Sequence, residues 1–225
     1  MLLSASISWK AAHPGAVVGA LGMSRVANPE TSPALDAGKE ELETRLRSQF
    51  SSFTRRQLNE LPSLQPYVAY YKAFGKSYHV ALQLESVVFK NRPIPRVAAL
   101  VEAMFMAELN NLILTAGHDW EAVQGHVRVD VAKGGESYVT PNGQTQPLKQ
   151  NDMFIHDDDG VLSSVLYGPA HRARITAATT RALFTAYAPK GIGLQKVVDH
   201  LGDLKANVAF ISPDAEVEAL EALLA

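Results

Sequence analysis

Glu108 is a carboxylate in an otherwise apolar stretch of the sequence. Val101, Met104 and Phe105 precede it by seven, four and three residues, so a helix through this stretch places Glu108 on the apolar face. A carboxylate that packs into a core is costly unless it is paired or hydrogen-bonded. Such groups are often functional, although buried structural pairs also occur. Glu108 is therefore a candidate catalytic residue, and Asn111, one turn later, is a candidate substrate ligand.

Glu85 is a second carboxylate with apolar neighbours one helical turn away on both sides. Lys76 or Arg92 could pair with it, and a structural ion pair of this kind is the favoured interpretation. Substrate binding by Glu85 is the alternative.

His118 and Asp119 follow Gly117, where the sequence predicts that the helix ends and a loop begins. Histidine is the commonest acid-base residue near neutral pH, so His118 is a candidate catalytic residue and Asp119 a candidate substrate ligand. A helix-capping role is the alternative for this pair. Because the helix turns Glu108 inward and the loop presents His118 at its end, we expect the two side chains to line one cleft.

The turn at 167–172 carries a second group of polar side chains. In it, His171 and Arg172 are candidates for contacting a carboxylate, a phosphate or RNA, with solvated turn residues as the alternative. The acidic run at 156–160 lacks the alternating ligands of a calcium loop and is interpreted as a hairpin turn. The sequence has no cysteine, which excludes thiol nucleophiles and thiolate metal sites. We expect neither a metal nor a cofactor.

The elements that would position these side chains are of two kinds. Hydrophobic periodicity and turn residues predict helices over 39–57, 66–74, 79–90, 97–114, 194–201 and 215–224, and strands over 3–9, 16–26, 127–131, 153–155, 161–167 and 181–187. A strand is the alternative for 79–90, because part of that segment also alternates. Helices thus dominate the first half and a β-meander the second. This order predicts an α+β fold, formed as a single compact domain over residues 1–225.

The charge balance limits the partners. With 21 basic and 23 acidic residues the formal net charge is −2, whereas proteins that bind nucleic acid through phosphates usually carry a basic excess. We therefore expect no binding to duplex DNA and only transient or local contact with RNA. The apolar runs are too short for a signal peptide or a membrane span, so we expect a cytoplasmic protein with no membrane partner.

Within the stretch 96–187, which is about 90 residues long, four short segments follow one another in a fixed order: Ala-Lys-Gly-Gly-Glu at 132–136, Asn142-Gly143, Leu-Lys-Gln-Asn-Asp-Met-Phe-Ile at 148–155, and Thr-Thr-Arg-Ala-Leu-Phe at 179–184. In this order and spacing, residues 96–187 resemble the third and fourth domains of the β subunit of bacterial phenylalanyl-tRNA synthetase. The segments 83–88, 102–108 and 114–119 are most similar to stand-alone proteins built only from that domain. No segment resembles the catalytic core of the synthetase.

The resemblance implies an editing function. In the synthetase this domain hydrolyses tyrosine wrongly attached to the tRNA for phenylalanine, by positioning a water at the ester and without a covalent nucleophile. It implies here a trans-acting aminoacyl-tRNA deacylase that needs no cofactor, with the aminoacylated end of a tRNA and an amino acid as partners. Glu108 and Asn111 would recognise the amino acid. His118 would orient water or act as base, and Arg172 would approach the terminal phosphates.

Two positions depart from the family pattern. The synthetase has a histidine near Ala116, whereas here His118 comes two residues later, and it has an acidic residue near Ala170. The pocket is then either retuned to another amino acid or no longer catalytic. A non-catalytic module that binds RNA or an amino acid, and a structural protein with a filled pocket, are the rival interpretations.

Overall fold

The computed structural model describes residues 2–225, and Met1 lies outside them. The predicted α+β class is confirmed, with helices early and strands later in the chain. The helices are α1 (Ile7–Ala12), α2 (Pro33–Gln49), α3 (Arg55–Asn59), α4 (Gln65–Ala73), α5 (His79–Lys90), α6 (Ala99–Asn111) and α7 (Leu194–Ala209). The strands are β1 (Leu3–Ala5), β2 (Val17–Ser24), β3 (Leu114–Asp119), β4 (Val127–Val131), β5 (Ser137–Val139), β6 (Thr145–Pro147), β7 (Met153–Asp157), β8 (Gly160–Ser164), β9 (Gly168–Pro169), β10 (Arg181–Ala188) and β11 (Glu216–Leu224).

Two sheets carry the fold. One has four strands in the order β11-β2-β10-β3, and the other has five in the order β1-β4-β7-β8-β9. Strand β10 is antiparallel to both β2 and β3 and reads as a nearly continuous apolar run, as expected of a strand buried on both faces. Strand β4 instead alternates, with Val127, Val129 and Val131 buried. A separate hairpin joins β5 to β6.

Helix α7 covers the four-stranded sheet closely because β2 contains Gly19. A Cβ atom at Gly19 would lie 2.6 Å from Val197 and 2.9 Å from Leu201, both on α7, so only glycine allows this approach. Helix α6 packs against α7 and β3. One apolar core extends from Leu3 in β1 to Val208 in α7.

The N-terminal half departs from the predicted boundaries. The predicted strand over 3–9 ends at Ala5, and α1 follows because the Ser6 side chain accepts a hydrogen bond from the backbone N–H of Trp9 and caps the helix. The predicted helix over 39–57 is two helices. Helix α2 begins early, with Ser32 as its cap and Pro33 in its first turn.

The predicted helix over 215–224 is wrong, since these residues form β11. Alanine, leucine and glutamate favour a helix, and the apolar residues of this segment recur at helical spacing. The segment instead pairs with β2 from Ser24 to Val17, and this ladder outweighs the local preference.

The predicted loop at His118 is also wrong, because residues 114–119 form β3. Helix α6 ends earlier than expected, at Asn111, and the residue that caps it, Leu112, has a left-handed φ of 60°. The chain reverses there and enters the sheet beside β10. Among residues 2–225, no helix is both long enough and apolar enough to cross a membrane.

Candidate functional site

A cavity of about 320 Å³ lies between α6, β3 and the segments that follow β8 and β9. Val101, Met104, Phe105 and Glu108 of α6 all line it, so the apolar stripe predicted from the sequence is one wall of the cavity. Strand β3 lines it from Leu114 to Gly117. The lining is mostly apolar with a few polar groups, which is the usual composition of a small-molecule site.

Glu108 is the buried carboxyl group of this cavity, with only 1% of its surface exposed. Its Oε1 accepts a 2.7 Å hydrogen bond from the backbone N–H of Thr115, while its Oε2 has no partner within the described chain. Burial raises the pKa of Glu108 to about 8, and the Thr115 hydrogen bond opposes this shift. The carboxyl group is therefore mostly neutral at pH 7 and close to its titration range.

The other buried glutamates show what a structural carboxylate looks like in this fold. Glu102 pairs with Lys39 and also accepts a hydrogen bond from the N–H of Val97. Glu43 bonds to Arg47 and to the N–H of Ile94. Both oxygens of each group are satisfied, as buried charge requires. Glu108 differs because one oxygen is left unpartnered at the wall of a cavity, and this pattern is typical of functional sites.

The mouth of the cavity carries His79 and Arg174. The His79 ring remains accessible, with Nδ1 3.5 Å from the Tyr71 hydroxyl, and desolvation against the protein lowers its pKa. Arg174 donates a hydrogen bond to the carbonyl of His171 and lies against that ring. No carboxylate among residues 2–225 forms an ion pair with Arg174. The mouth thus offers an imidazole and a guanidinium to a ligand.

Two buried tyrosines of α4 fix the wall behind the cavity. The Tyr67 hydroxyl donates to the carbonyl of Tyr187 at 2.6 Å and accepts from the N–H of Leu114 at 3.2 Å. The Tyr71 hydroxyl donates to the carbonyl of Val165 at 2.6 Å. Helix α4 is thereby tied to β10, to β3 and to the end of β8, and these hydrogen bonds hold the wall in one arrangement.

His118 lies behind this wall and does not reach the cavity. Its side chain is fully buried, and its Nε2 lies 3.2 Å from the Ser163 hydroxyl, which lies 2.6 Å from the Tyr187 hydroxyl. Burial, and to a lesser degree the charge of Arg172, lowers the pKa of His118 to about 3. The ring is therefore neutral at physiological pH. The structure brings Glu108 to the predicted cleft but places His118 one layer behind it.

Asp119 has the capping geometry that the sequence offered as an alternative. Its Oδ1 accepts a hydrogen bond from the N–H of Glu121 at the start of a short 3₁₀ helix, and its Oδ2 accepts one from the Thr179 hydroxyl at 2.8 Å. Both carboxylate oxygens are used by the fold.

Arg172 is held by Asp157 in a two-pronged ion pair, in which Nη1 lies 3.1 Å from Oδ2. The Asp157 side chain is completely buried, and the acidic hairpin at 156–160 is thus anchored by arginine. No group of three or more His, Asp or Glu side chains in residues 2–225 could hold a metal ion. His171 lies near the cavity mouth through its contact with Arg174.

Glu85 and Asn111 also lie away from the cavity. Glu85 accepts a hydrogen bond from Asn59 at 3.1 Å and lies 3.8 Å from Arg55 in a separate groove. The favoured interpretation of Glu85 as half of a structural ion pair therefore holds, but the cation is Arg55 and neither Lys76 nor Arg92. The Asn111 amide donates to Asp203 at 2.9 Å and lies 3.3 Å from Nδ1 of His200.

Sequence reasoning missed His79, Arg174 and Tyr187 as parts of the site. The segment His-Arg-Ala-Arg at 171–174 indicates a basic turn, but it does not indicate which of its two arginines pairs with a carboxylate. His79 begins an amphipathic helix, and nothing in its neighbours distinguishes it. Tyr187 lies inside the apolar run of β10 and has the pattern of a core residue.

Comparison with known proteins places this geometry in a family. A model of the B3/4 domain matches residues 68–202, which is more than half of the chain. The crystal structure of an N-terminal fragment of the phenylalanyl-tRNA synthetase β subunit from Pyrococcus horikoshii is similar in fold, with a TM-score of 0.50 at 11% identity. The similarity covers 99% of this chain and 54% of that one, so the chain spans about half of the fragment. A comparison with curated proteins finds no match. The family match covers α5, α6, β3, β8 and β10, which build the cavity, and the chain therefore belongs to the B3/4 domain family.

Proposed function

We propose that this protein hydrolyses the ester bond of a mischarged aminoacyl-tRNA, acting in trans on tRNA charged by another enzyme. The observation that carries the proposal is the unpartnered Oε2 of Glu108 at the wall of a largely apolar cavity. A buried polar atom without a partner costs stability. Its retention is explained if a ligand supplies the missing hydrogen bond.

The cavity has the size and lining for an amino-acid side chain. Its volume of about 320 Å³ lies at the lower end of the range for small-molecule sites. Met104, Phe105 and Ile175 offer apolar contact to such a side chain. A whole nucleoside with its phosphates does not fit, so the tRNA itself would remain at the mouth.

Glu108 can serve either charge state of a ligand. A neutral carboxyl group donates through its proton, and an ionised one accepts from a hydroxyl or an ammonium group. A pKa of about 8 lies in the range where a positioned carboxyl group exchanges protons efficiently near neutral pH. Glu108 is therefore suited to hold the amino acid and to take part in proton transfer at the ester.

The groups at the mouth suit the rest of the substrate. His79 would orient the attacking water, a role first assigned to the enclosed His118. Arg174 would meet the terminal phosphates, because its guanidinium is free of carboxylates whereas that of Arg172 is bound to Asp157. Guanidinium groups bind phosphates through paired, charge-assisted hydrogen bonds.

Two comparisons support a tRNA substrate without identifying it. The B3/4 family match covers the residues around the cavity, and the similar crystal structure belongs to a synthetase subunit. Hydrolysis of a tRNA ester would place the work of this protein in the cytoplasm, where tRNA is charged. It requires positioning and electrostatic stabilisation more than a cofactor.

A non-catalytic module that binds an amino acid or an RNA end is the second candidate. Ala116 favours it, since this alanine lines the cavity at a position where the resembling synthetase domain has a histidine. Such a module would use the same cavity and the same Glu108 oxygen but would leave the ester intact.

A panel of mischarged tRNAs separates the two candidates. Each tRNA is incubated with the protein, and both retention of the tRNA and loss of the ester are measured. Ester loss above the spontaneous rate for at least one amino acid supports the hydrolase. Retention without ester loss supports the binding module. If the protein neither retains any tRNA nor removes any amino acid, both candidates are contradicted.

A further inference from the structure

His200 lies outside the cavity but contacts a residue that contacts Glu108. It projects from α7 and is fully buried, with Nε2 2.7 Å from the Thr115 hydroxyl. Thr115 in turn donates its backbone N–H to Oε1 of Glu108 at 2.7 Å. Two short hydrogen bonds therefore connect α7 to the carboxyl group at the cavity wall.

The contact between His200 and Thr115 holds in either neutral tautomer. A hydroxyl group both donates and accepts, so one partner donates whichever ring nitrogen carries the proton. Burial lowers the pKa of His200 to about 4, although Asp203 opposes this shift, and the ring is neutral under physiological conditions. On the other side of the ring, Asn111 lies 3.3 Å from Nδ1 and donates to Asp203. With the proton on Nε2, Nδ1 accepts from the Asn111 amide, and the ring is then fixed at both nitrogens.

The position of Thr115 gives this contact its consequence. Thr115 lies on β3, the edge strand of its sheet, and its N–H bonds to Glu108 instead of a neighbouring strand. Its other hydroxyl contact, to the carbonyl of Ile113, is long at 3.5 Å. His200 is accordingly the strongest side-chain anchor of Thr115.

We propose that His200 is a positioning residue. It anchors Thr115 of β3 to α7, and through the Thr115 N–H it fixes the direction of the Glu108 carboxyl group in the cavity. Its importance for catalysis rests on the proposed function of Glu108. The contact itself can be measured without any substrate, so the failure of one claim is distinguishable from the failure of the other.

The test is nuclear magnetic resonance of the whole chain, following the Thr115 amide and the Glu108 carboxyl carbon. In His200→Ala and in Thr115→Val, which keeps the shape of threonine and removes its hydroxyl, we expect the backbone amide of residue 115 to exchange about fivefold to tenfold faster with solvent. This factor corresponds to one hydrogen bond of ordinary net strength. The midpoint of the Glu108 titration should rise in both variants, because the hydrogen bond that they weaken favours the ionised form of Glu108.

Three further variants make the result specific. His200→Gln, whose amide N–H has a similar reach, should restore most of the wild-type signals. The double variant of His200→Ala with Thr115→Val should resemble either single variant, since both remove one contact. Leu204→Ala creates a cavity one turn further along the buried face of α7 and should leave both signals unchanged.

Each other outcome contradicts the proposal. If folded His200→Ala and Thr115→Val keep the wild-type exchange rate and midpoint, the contact does not position Glu108. If Leu204→Ala shifts both signals as far as His200→Ala does, the effect is a general loosening of α7. Additive effects in the double variant would show that the two side chains act independently.

Discussion

The backbone N–H of Thr115 donates to Oε1 of Glu108 at 2.7 Å, joining the start of β3 to the last turn of α6. The reversal at Leu112, with its left-handed φ of 60°, makes this contact between residues only seven apart. One carboxyl oxygen is thereby satisfied within the local chain. The other is left at the cavity wall, where residues 2–225 supply no partner for it.

Replacing Glu108 by glutamine should change how stability depends on pH. The folded-state pKa of about 8 is above the ordinary value of 4.5, so between these values the folded protein holds a proton that the unfolded chain has released. Stability from this group is therefore complete below pH 4.5 and falls as the pH rises towards 8, by about 1.4 kcal/mol for each pH unit. Glu108→Gln lacks this loss. Urea unfolding at pH 5 and pH 8.5 should show that the free energy of unfolding of the variant, relative to that of the wild type, is higher at pH 8.5 than at pH 5.

The exposed Glu41 on α2 supplies the control. Glu41→Gln removes a carboxylate of the same size and should follow the wild-type curve at both pH values. If Glu108→Gln also follows the wild type, Glu108 does not retain its proton in the folded state and its assigned environment is wrong.

The two buried histidines should destabilise the protein in acid. Burial lowers the pKa of His118 to about 3 and that of His200 to about 4, below the ordinary value of 6.5. Their contribution is therefore complete above pH 6.5 and is lost as the pH falls towards the folded-state values, because the unfolded chain takes up protons first. His118→Gln should reduce the slope of the free energy of unfolding against pH, between 6.5 and 4, by close to one proton. An unchanged slope would mean that His118 titrates normally in the folded protein.

Replacement of Arg172 by alanine should affect stability, whereas replacement of Arg174 should affect tRNA binding. Arg172→Ala leaves the buried Asp157 carboxylate with only the hydrogen bonds from the N–H groups of Gln124 and Asp159, and such a loss costs about 1–3 kcal/mol. Arg174→Ala breaks no ion pair within residues 2–225, so the free energy of unfolding should change little. It should instead weaken retention of tRNA and lower the dependence of binding on salt. Stability loss in Arg174→Ala, or weaker tRNA binding only in Arg172→Ala, would reverse the assignment.

Two glycines offer a matched test of the packing. A Cβ atom at Gly22 would lie 2.2 Å from the Trp120 ring, whereas one at Gly202 in α7 would meet nothing within 4 Å. Gly22→Ala should therefore destabilise the protein through overpacking, by about 1–3 kcal/mol. Gly202→Ala should stabilise it by about 0.5–1 kcal/mol, since alanine is the better helix former. Thermal unfolding measures both, and a stable Gly22→Ala would mean that Trp120 does not pack on β2.

Local patterns were sufficient for much of the fold. Alternation predicted β4 as Val127–Val131, and periodicity predicted α5 as His79–Lys90, with the bounds that the structure has. Both elements are specified by their own sequence, the strand by one buried face and the helix by one apolar stripe. Glu108 was found for the same reason, because helical spacing is sufficient to place it with Val101 and Met104.

The errors arose where distant pairing decides the structure. Strand β11 has the composition of a helix but completes a ladder on β2, about 200 residues earlier in the chain. His118 was assigned to a loop because Gly117 resembles a helix end. Pairing of β3 with β10 turns His118 towards Ser163 of the other sheet. His79 and Arg174 reach one cavity mouth from positions 95 residues apart, and no local pattern reports such proximity.

The measurement that tests the central claim most directly is the single-turnover rate of ester loss from a mischarged tRNA. The wild type, Glu108→Gln and Glu41→Gln are compared at equal concentration after each is shown to be folded. We predict that the wild type and Glu41→Gln remove the amino acid from at least one tRNA of the panel. Glu108→Gln should be slower by about 10²-fold or more, the usual contribution of a positioned acid-base group. If the wild type removes no amino acid from any mischarged tRNA, or if Glu108→Gln is as fast as the wild type, the proposed site is not the site of hydrolysis.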